Sequence, residues 1–407
     1  MSLLQTQTVP PEGSLSRDIF FLGQAPTIEE MREGRPFVGR SGKEQNSLNL
    51  QAQIQRDDAY WSNIIKVRPP VEWLNENSRR PYNVRLMEIE YFIDLKKKPD
   101  WNHFNAWLEG EEALPPEGVS EDSKPFILES FKEFDAFEGN VIVPFGNEPL
   151  WILTGMAQIT KRRGSIYEVR GKKVVPCVHP SFVLRSWSAI ERRLAVLDLR
   201  RVKGESKTPE VEFLEREFLI YPSFNEAMMF MDECLSLSEI GFDIECMKTG
   251  GLGREMSCFG FATSPLRAMC IPLHSKGKAY FSESEELQIM QRTAQVLEAS
   301  NVTKIGQNLV FDSDFVYTKF GILCKPIEDT MIANKVRFPD FPKGLDFLTR
   351  HYTREPYYKD EGKEWGAVKA EHEADFFLYN CKDCAYVMEI FPEQLKLLKK
   401  QDKENKL

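Results

Sequence analysis

The sequence predicts an α/β protein made of two domains, and three observations support this. Short apolar strands alternate with amphipathic helices on both sides of position 203, a pattern typical of α/β layers. Residues 203–211 are polar, contain glycine and proline, and lack apolar periodicity, which indicates a linker. The 407 residues suffice for two domains that each bury a core.

The overall composition is that of an ordinary globular protein, with 42% hydrophobic and 28% charged residues. No apolar run approaches the roughly 20 residues that span a bilayer. The N-terminus lacks the basic start and apolar stretch of a secretory signal. Eight scattered cysteines are too few for a disulfide scaffold, so we expect a protein of the reducing cytoplasm.

The charge distribution separates the two halves. The formal net charge of −9 argues against a protein that coats nucleic acid non-specifically. Residues 1–203 carry equal numbers of basic and acidic residues, so the whole acidic excess lies in residues 204–407. A site that holds divalent cations is expected to be locally acidic, although a solvated acidic face has the same composition.

The first domain is expected over residues 1–202. The apolar residues 19–22, which end at Gly23, predict a buried strand, and residues 140–146 predict another. Between them, residues from about 70 to 139 are rich in proline and charge, which predicts a helical insertion with loops.

The second domain is expected over residues 212–407. It begins with a predicted strand and the two further strands of a meander, and continues through helices and one more strand. The predicted elements are strands at 240–245, 256–263 and 268–273, a helix at 284–300, a strand at 303–306, a helix at 376–389 and a basic helix from 393 that frays toward 407.

Four carboxylates and a tyrosine of this second domain are the candidate catalytic residues. Asp243 and Glu245 lie two apart on a strand, so both leave the same face. Asp312 follows the next strand, and Tyr379 and Asp383 stand one helical turn apart. Four such carboxylates can hold two Mg²⁺ (or Mn²⁺) ions, which clamp the oxygens of an in-line phosphoryl displacement. Tyr379 would orient or help deprotonate the attacking water.

Other acidic residues and cysteines nearby favour structural roles. Acidic residues are common on α/β surfaces, so the order and context of the set carry the argument. We expect Asp314 to lie on a helix surface and Asp329 to cap a helix before Thr330. Cys381 and Cys384 lie in the Tyr379–Asp383 helix without a second cysteine pair nearby in sequence, which argues against zinc or redox chemistry.

Residues from about 212 to 399 resemble the DEDDy 3′–5′ exonucleases, and most closely the proofreading domain of family-A DNA polymerases. This resemblance implies a ribonuclease-H-like fold with a mixed sheet, and two-metal hydrolysis that releases nucleoside monophosphates from a 3′ end. It assigns catalysis to the five residues above and metal binding to the four carboxylates. The matching motifs are Phe242-Asp243-Ile244-Glu245, Gly306-Gln307-Asn308-Leu309-Val310-Phe311-Asp312 and Leu378-Tyr379-Asn380-Cys381-Lys382-Asp383.

The first half carries a second group of motifs, and residues 18–202 resemble the uracil-DNA glycosylase superfamily, particularly its iron–sulfur branch. The resemblance implies an α/β/α fold and a pocket for a flipped base. It places Gln24 at the water-holding turn, Phe37 on the base, Asn63 at the base edge and His179 beside the developing negative charge. The motifs are Gly23-Gln24-Ala25-Pro26, Gly34-Arg35-Pro36-Phe37-Val38-Gly39-Arg40-Ser41-Gly42, Ser62-Asn63-Ile64-Ile65-Lys66-Val67-Arg68-Pro69-Pro70 and Val178-His179-Pro180-Ser181.

Two departures from that pattern bear on activity. Gln24 stands where the family has a carboxylate, and an amide cannot act as a base; Glu29 and Glu30 are the nearest acids. The first half has only Cys177, and Val67 stands where a cluster ligand is expected, so no iron–sulfur cluster is expected. The sequence therefore favours a base-sensing or DNA-gripping module, or a packing platform, over a glycosylase.

The sequence ends shortly after the third exonuclease motif, leaving no room for a polymerase body. We therefore expect the separate proofreading component of a replicative polymerase, with a bacteriophage as a possible source. Its partners would be single-stranded or frayed 3′ ends of DNA and a polymerase subunit. The alternatives are a bifunctional uracil-removing and resecting repair enzyme, and a non-enzymatic replication scaffold. The basic runs at 161–163 and 172–173 would hold phosphates or form solvated faces.

Overall fold

A computed structural model describes residues 8–67, 100–112, 115, 119, 124–248, 254–359 and 372–403. The chain forms two compact units, Met1–Val211 and Glu212–Leu407. The predicted insertion at 70–139 is described only in part, because residues 70–99 lie outside these ranges. Its described portion contains two helices.

The first unit is built on a five-stranded sheet. The strand order is β2-β1-β3-β5-β4, in which β2, β1, β3 and β5 run parallel and β4 is an antiparallel edge. Because neighbouring parallel strands share one orientation, the carboxyl ends of β1, β2 and β3 meet at the same edge. The strands are β1 (Ile19–Gly23), β2 (Ala59–Asn63), β3 (Val141–Pro144), β4 (Tyr167–Val169) and β5 (Lys172–Val174).

Helices cover both faces of this sheet. Phe20 and Leu22 point into one apolar core, while Ile19 and Phe21 point into the other, as the alternation along a strand requires. This arrangement confirms the expected α/β/α fold. The helices are α1 (Ile28–Glu33), α2 (Arg40–Gln51), α3 (Trp101–Glu109), α4 (Lys124–Ala136), α5 (Asn147–Thr154), α6 (Ile159–Arg162), α7 (Pro180–Ser186) and α8 (Ala189–Glu205).

The beginning of the predicted linker is helical. Helix α8 continues to Glu205, and Val202 is fully buried in the first core. Beyond the helix, Lys173 Nζ lies 2.6 Å from the carbonyl oxygen of Thr208. The polar composition misled the prediction because one apolar residue per turn is enough to hold this last part of the helix against the sheet.

The second unit is built on a six-stranded mixed sheet of order β13-β12-β7-β8-β9-β6. Strands β7, β8 and β9 form the predicted antiparallel meander, while β12 and β13 run parallel to β7. The mixed sheet implied by the exonuclease resemblance is confirmed. The strands are β6 (Glu217–Leu219), β7 (Glu239–Lys248), β8 (Arg254–Ser264), β9 (Arg267–Pro272), β10 (His274–Ser275), β11 (Lys278–Ala279), β12 (Thr303–Gly306) and β13 (Ile327–Asp329).

One long helix crosses the second sheet. The helices predicted at 376–389 and from 393 onward form a single 31-residue helix that contains Pro392. Across the described residues, no helix combines the length and apolarity needed to cross a membrane. The helices are α9 (Phe224–Ser236), α10 (Glu283–Glu298), α11 (Leu309–Phe320), α12 (Thr330–Arg337), α13 (Leu345–Tyr352) and α14 (Glu373–Lys403).

Candidate active site and base-binding pocket

Three of the predicted carboxylates meet where α14 crosses the centre of the second sheet. Asp243 and Glu245 project from the same face of β7, and Asp383 projects from α14. One ligand oxygen from each of the three lies within 4.8 Å of the others, a spacing that suits a shared metal ion.

The close approach of α14 to β7 depends on a glycine. A Cβ at Gly241 would collide with the carbonyl oxygen of Cys384, one residue beyond Asp383. The absence of a side chain at this position therefore lets the helix backbone lie against the strand and brings Asp383 to Asp243 and Glu245.

Asp312 lies beside this cluster but belongs to a different contact. Its Oδ1 accepts a hydrogen bond from the backbone N–H of Ile244 over 3.0 Å, so it reaches β7 between the two strand carboxylates. Among the described residues, the cluster formed by Asp243, Glu245 and Asp383 does not include Asp312. Asp329 supports the start of α11, because its side chain accepts from the backbone N–H groups of Asn308 and Leu309.

Tyr379 lies one turn before Asp383 on α14, and a segment outside the predicted motifs contacts both. The Tyr358 hydroxyl donates to Asp383 Oδ1 over 2.5 Å. Lys359 Nζ donates to Asp383 Oδ2 and to the Tyr379 hydroxyl oxygen, each over 2.5 Å. The sequence does not reveal Tyr358 and Lys359, because nothing in their spacing links them to a helix that begins 14 residues later.

The electrostatics of the site suit a cation. Burial, reinforced by the charges of neighbouring carboxylates, raises the pKa values of Asp243, Glu245 and Asp312, and the nearby Lys359 ammonium only partly offsets this for Asp243 and Glu245. A bound divalent cation would remove that repulsion, so the donor set fits Mg²⁺ or Mn²⁺.

Tyr379 was predicted either to orient the attacking water or to help deprotonate it, and its environment favours the first role. Burial and the charge of Asp383 raise the pKa of Tyr379 far above its usual range. The hydroxyl therefore stays protonated, which suits a hydrogen-bond donor that orients a water. It does not suit a base that removes a proton from that water.

Two further sequence expectations for this unit, those for Asp314 and Asp329, are confirmed. Asp314 is exposed on α11. Asp329 is the N-cap of α12 and accepts from the backbone N–H groups of Met331 and Ile332. Cys381 and Cys384 are buried free thiols, as are most of the eight cysteines.

In the first unit, the carboxyl ends of β1 and β2 bring together three predicted residues. A Cβ at Gly23 would collide with Asn63 Oδ1 and lie 2.7 Å from Phe37 Cζ, so both side chains adjoin the end of β1, where Gln24 follows. Phe37 adopts a positive φ of 55° and packs 5.1 Å from the Trp61 ring. Gln24 Nε2 is buried and has no hydrogen-bond partner in the described part of the chain.

His179 lies beyond β3 at the start of α7. It caps this helix, with Nδ1 2.7 Å from Ser181 Oγ and 3.2 Å from the Ser181 backbone nitrogen. Burial, together with the charge of Arg185, lowers its pKa to about 4, so the imidazole is neutral at pH 7. His179 adjoins Gly146, the residue that follows the end of β3, because a Cβ built at Gly146 would lie 3.7 Å from the His179 Cβ.

The two halves match two different protein families. Residues 10–200 match the model of the uracil DNA glycosylase superfamily, and residues 224–399 match a model described as 3′-5′ exonuclease. The chain joins a uracil-DNA glycosylase superfamily domain to a 3′–5′ exonuclease domain. These matches confirm the two resemblances at the level of a uracil-DNA glycosylase superfamily domain and a 3′–5′ exonuclease domain.

Individual relatives cover the chain unevenly. The type-4 uracil-DNA glycosylase of Thermotoga maritima is 29% identical over 207 residues, which are 50% of this chain and 85% of that protein. A DNA polymerase of Bacillus phage SP01 is 30% identical over 243 residues, which are 58% of this chain but 22% of the polymerase. Escherichia coli RNase D, an exoribonuclease involved in structured RNA processing, aligns at 16% identity and a TM-score of 0.34. That alignment covers 45% of this chain and 44% of RNase D.

In the glycosylase-superfamily domain, Glu30 holds a turn. Its carboxylate accepts from the backbone N–H of Thr27 over 2.5 Å in the capping box of α1, and it also accepts from the N–H groups of Phe37 and Val38. Glu29 is exposed in the first turn of the same helix. Glu30 therefore shapes the Phe37 turn, and nothing in the geometry gives it the place of the missing acid.

The basic runs of the same domain include two buried structural residues. Arg163 pairs with Glu191 and Asp198, each over 2.6 Å, and is buried. Lys173 is fully buried and pairs with Glu205 over 3.3 Å. Neither side chain is available to hold a phosphate, so that expectation was wrong for both.

Proposed function

We propose that the protein is a 3′–5′ DNA exonuclease of the DEDDy type that releases nucleoside monophosphates. The observation that carries this proposal is the cluster of Asp243, Glu245 and Asp383 oxygens within 4.8 Å, with Tyr379 one turn from Asp383. The match of residues 224–399 to an exonuclease model supports it.

In this proposal Asp243, Glu245, Asp312 and Asp383 hold two divalent ions, Mg²⁺ or Mn²⁺. The ions would stabilise the charge that develops during an in-line displacement. Asp312 also fixes the strand, because it accepts from the Ile244 N–H between the two strand ligands. Tyr379 donates a hydrogen bond from its hydroxyl group and so orients the attacking water.

The biological role proposed is proofreading for a DNA polymerase that is a separate protein. The resemblance to the proofreading domain of family-A polymerases supports this role, as does the 30% identity to the phage SP01 polymerase over 243 residues. The substrate would be the single-stranded or frayed 3′ end of a primer.

For the first domain we propose recognition of DNA or of an extruded base through Gln24, Phe37, Asn63 and His179, without removal of that base. An amide at position 24 cannot accept a proton from water, and Glu30 is engaged by backbone N–H groups.

One observation favours a second candidate, a bifunctional repair enzyme that removes uracil and resects the strand. Gln24, Phe37 and Asn63 gather at the end of β1 in a domain that is 29% identical to a type-4 uracil-DNA glycosylase. Incubation with uracil-containing duplex followed by alkaline cleavage distinguishes base recognition alone from uracil removal. Strand breaks at uracil would establish the bifunctional enzyme, and intact strands would support recognition alone.

Proofreading is tested with 3′-labelled primers that end in a matched or a mismatched pair. In Mg²⁺ we expect faster release from the mismatched primer, because its end frays more readily into a single strand. The same protein, mixed with the polymerase of its source, is expected to co-elute with it in gel filtration. Equal rates on both primers together with no association would exclude the proofreading role and leave a general exonuclease.

A further inference from the structure

Lys359 enters the exonuclease site from the segment that follows α13. Its ammonium nitrogen lies 2.5 Å from Asp383 Oδ2 and 2.5 Å from the Tyr379 hydroxyl oxygen. It also lies 4.3 Å from the centre of the Tyr379 ring. The side chain is largely buried, with 18% of its surface exposed. A lysine held this way is part of the site.

The chemistry of the groups determines which atom donates and which accepts in these contacts. An ammonium has three protons and no lone pair, so Lys359 can only donate, and the Tyr379 oxygen must accept. Asp383 already receives the Tyr358 hydroxyl on Oδ1 and Lys359 on Oδ2. Lys359 therefore occupies a lone pair of the Tyr379 oxygen and is itself held by Asp383, which also lies within hydrogen-bonding reach of the Tyr379 hydroxyl.

We propose that Lys359 is a positioning residue of the exonuclease reaction, which orients the Tyr379 hydroxyl so that its proton is available to the reacting water. This inference rests on the proposed exonuclease function and adds a residue outside the DEDDy set. Asp383 anchors the ammonium, and the ammonium in turn holds the phenol oxygen. Without Lys359, the Tyr379 oxygen loses the donor that fixes its direction, and the hydrogen bond from the hydroxyl to Asp383 competes with the one to the reacting water.

The proposal predicts a specific pattern in a double-mutant cycle. Lys359→Met keeps an unbranched side chain that is one atom shorter, and removes the charge and the donors. We expect it to lower kcat on a 3′-labelled single strand by about 100-fold, the cost of misplacing a reacting group by roughly 1 Å, with KM for the strand unchanged. In a Tyr379→Phe background, the same substitution is expected to change kcat by no more than about twofold, because the hydroxyl on which it acts is gone.

Two further variants separate position from charge and from general damage. Lys359→Arg keeps a cationic donor and is expected to recover part of the lost rate. Lys396→Met is the matched control, since Lys396 lies exposed on the same helix α14 as Asp383 and pairs only with Glu393 among the described residues. We expect its kcat to equal that of the unmodified protein, and thermal melting of every variant checks folding.

Manganese binding supplies a readout that does not depend on turnover. If Lys359 acts through Tyr379, Mn²⁺ titrated calorimetrically into Lys359→Met binds at least as tightly as to the unmodified protein. A loss of about 10–100-fold, typical of residues that support a metal ligand, would assign Lys359 to the metal site and overturn the proposal. Equal effects of Lys359→Met on kcat with and without the Tyr379 hydroxyl would also overturn it. An unmodified protein without any 3′ hydrolysis would instead overturn the proposed function, and this inference with it.

Discussion

Asn380 donates a hydrogen bond from Nδ2 to Asp243 Oδ2 over 2.9 Å, and so ties the long helix α14 to strand β7. Asn380 is fully buried, and its Nδ2 also lies 3.3 Å from the Asp243 carbonyl oxygen. The position opposite Asp243 on the neighbouring strand is Gly260. A Cβ there would collide with Asn380 Oδ1 and lie 2.8 Å from Cys384 Sγ. The Asn380–Asp243 contact therefore exists because residue 260 has no side chain.

Gly260→Ala is expected to destabilise the exonuclease domain by about 1–3 kcal/mol, the usual cost of overpacking a core, because the added methyl group must displace Asn380. Urea unfolding measures this loss. The control is Gly204→Ala in helix α8 of the first domain, where a Cβ meets nothing within 4 Å, so it should leave the unfolding of the exonuclease domain unchanged. Equal stability of the two variants would show that α14 can shift without cost, contrary to the role given to Gly260.

Asn380→Ala is expected to lower exonuclease kcat while the protein remains folded, because Asp243 loses the donor that fixes its carboxylate. Mutation of a residue that supports a metal ligand typically lowers metal affinity or activity by 10–100-fold, and we expect a loss of kcat of about that size. Kinetics at saturating Mn²⁺ measure it. Full activity would mean that β7 alone fixes Asp243.

The stability of the metal-free protein is expected to fall as the pH rises. Burial and neighbouring charges raise the pKa of Glu245 to about 8 and that of Asp312 to about 7, above the roughly 4 of unfolded chains. Between these values the folded state binds more protons than the unfolded state. The free energy of unfolding therefore decreases from about pH 4 to pH 8.

Calorimetric melting in chelator at pH 5 to 8 tests this dependence against Asp383→Asn, which removes a charge that raises the pKa values of both Glu245 and Asp312. The melting temperature of the variant should exceed that of the unmodified protein by a margin that widens with pH. A constant margin would contradict the origin given for these pKa values.

Gln24→Ala is expected to leave the stability of the first domain within about 0.5 kcal/mol, because Gln24 Nε2 has no partner among the described residues to lose. It should weaken binding to an oligonucleotide that presents an unpaired base, measured by fluorescence anisotropy. Lys132→Ala, an exposed residue on α4, serves as the control. Unchanged affinity would remove Gln24 from the proposed base-binding residues.

Local patterns predicted the parts of the site that depend on local geometry. The two-residue spacing of Asp243 and Glu245 placed both on one face of β7, and the four-residue spacing of Tyr379 and Asp383 placed both on one face of α14. The motif resemblances supplied Asp312. Both folds followed from the alternation of strands and helices and from the same motifs.

The remaining contacts depend on tertiary structure that no spacing encodes. Tyr358 and Lys359 reach Asp383 from a segment that is distant along the chain, and Gly260 matters only because Asn380 lies above it. From the sequence, Glu30 was a candidate to replace the missing acid, but in the structure its carboxylate accepts hydrogen bonds from backbone N–H groups. In each case the partner lies on another element or in another turn.

The most direct test of the exonuclease assignment is release of label from a single strand labelled at its 3′-terminal nucleotide, with Mg²⁺ present. The unmodified protein is expected to release the labelled nucleoside monophosphate, and chelator should stop the release. Asp243→Asn and Asp383→Asn, which keep the size of each side chain but remove its charge, should release none while remaining folded. Release that persists in both variants, or no release from the unmodified protein, would contradict the assignment of these carboxylates as the hydrolytic site.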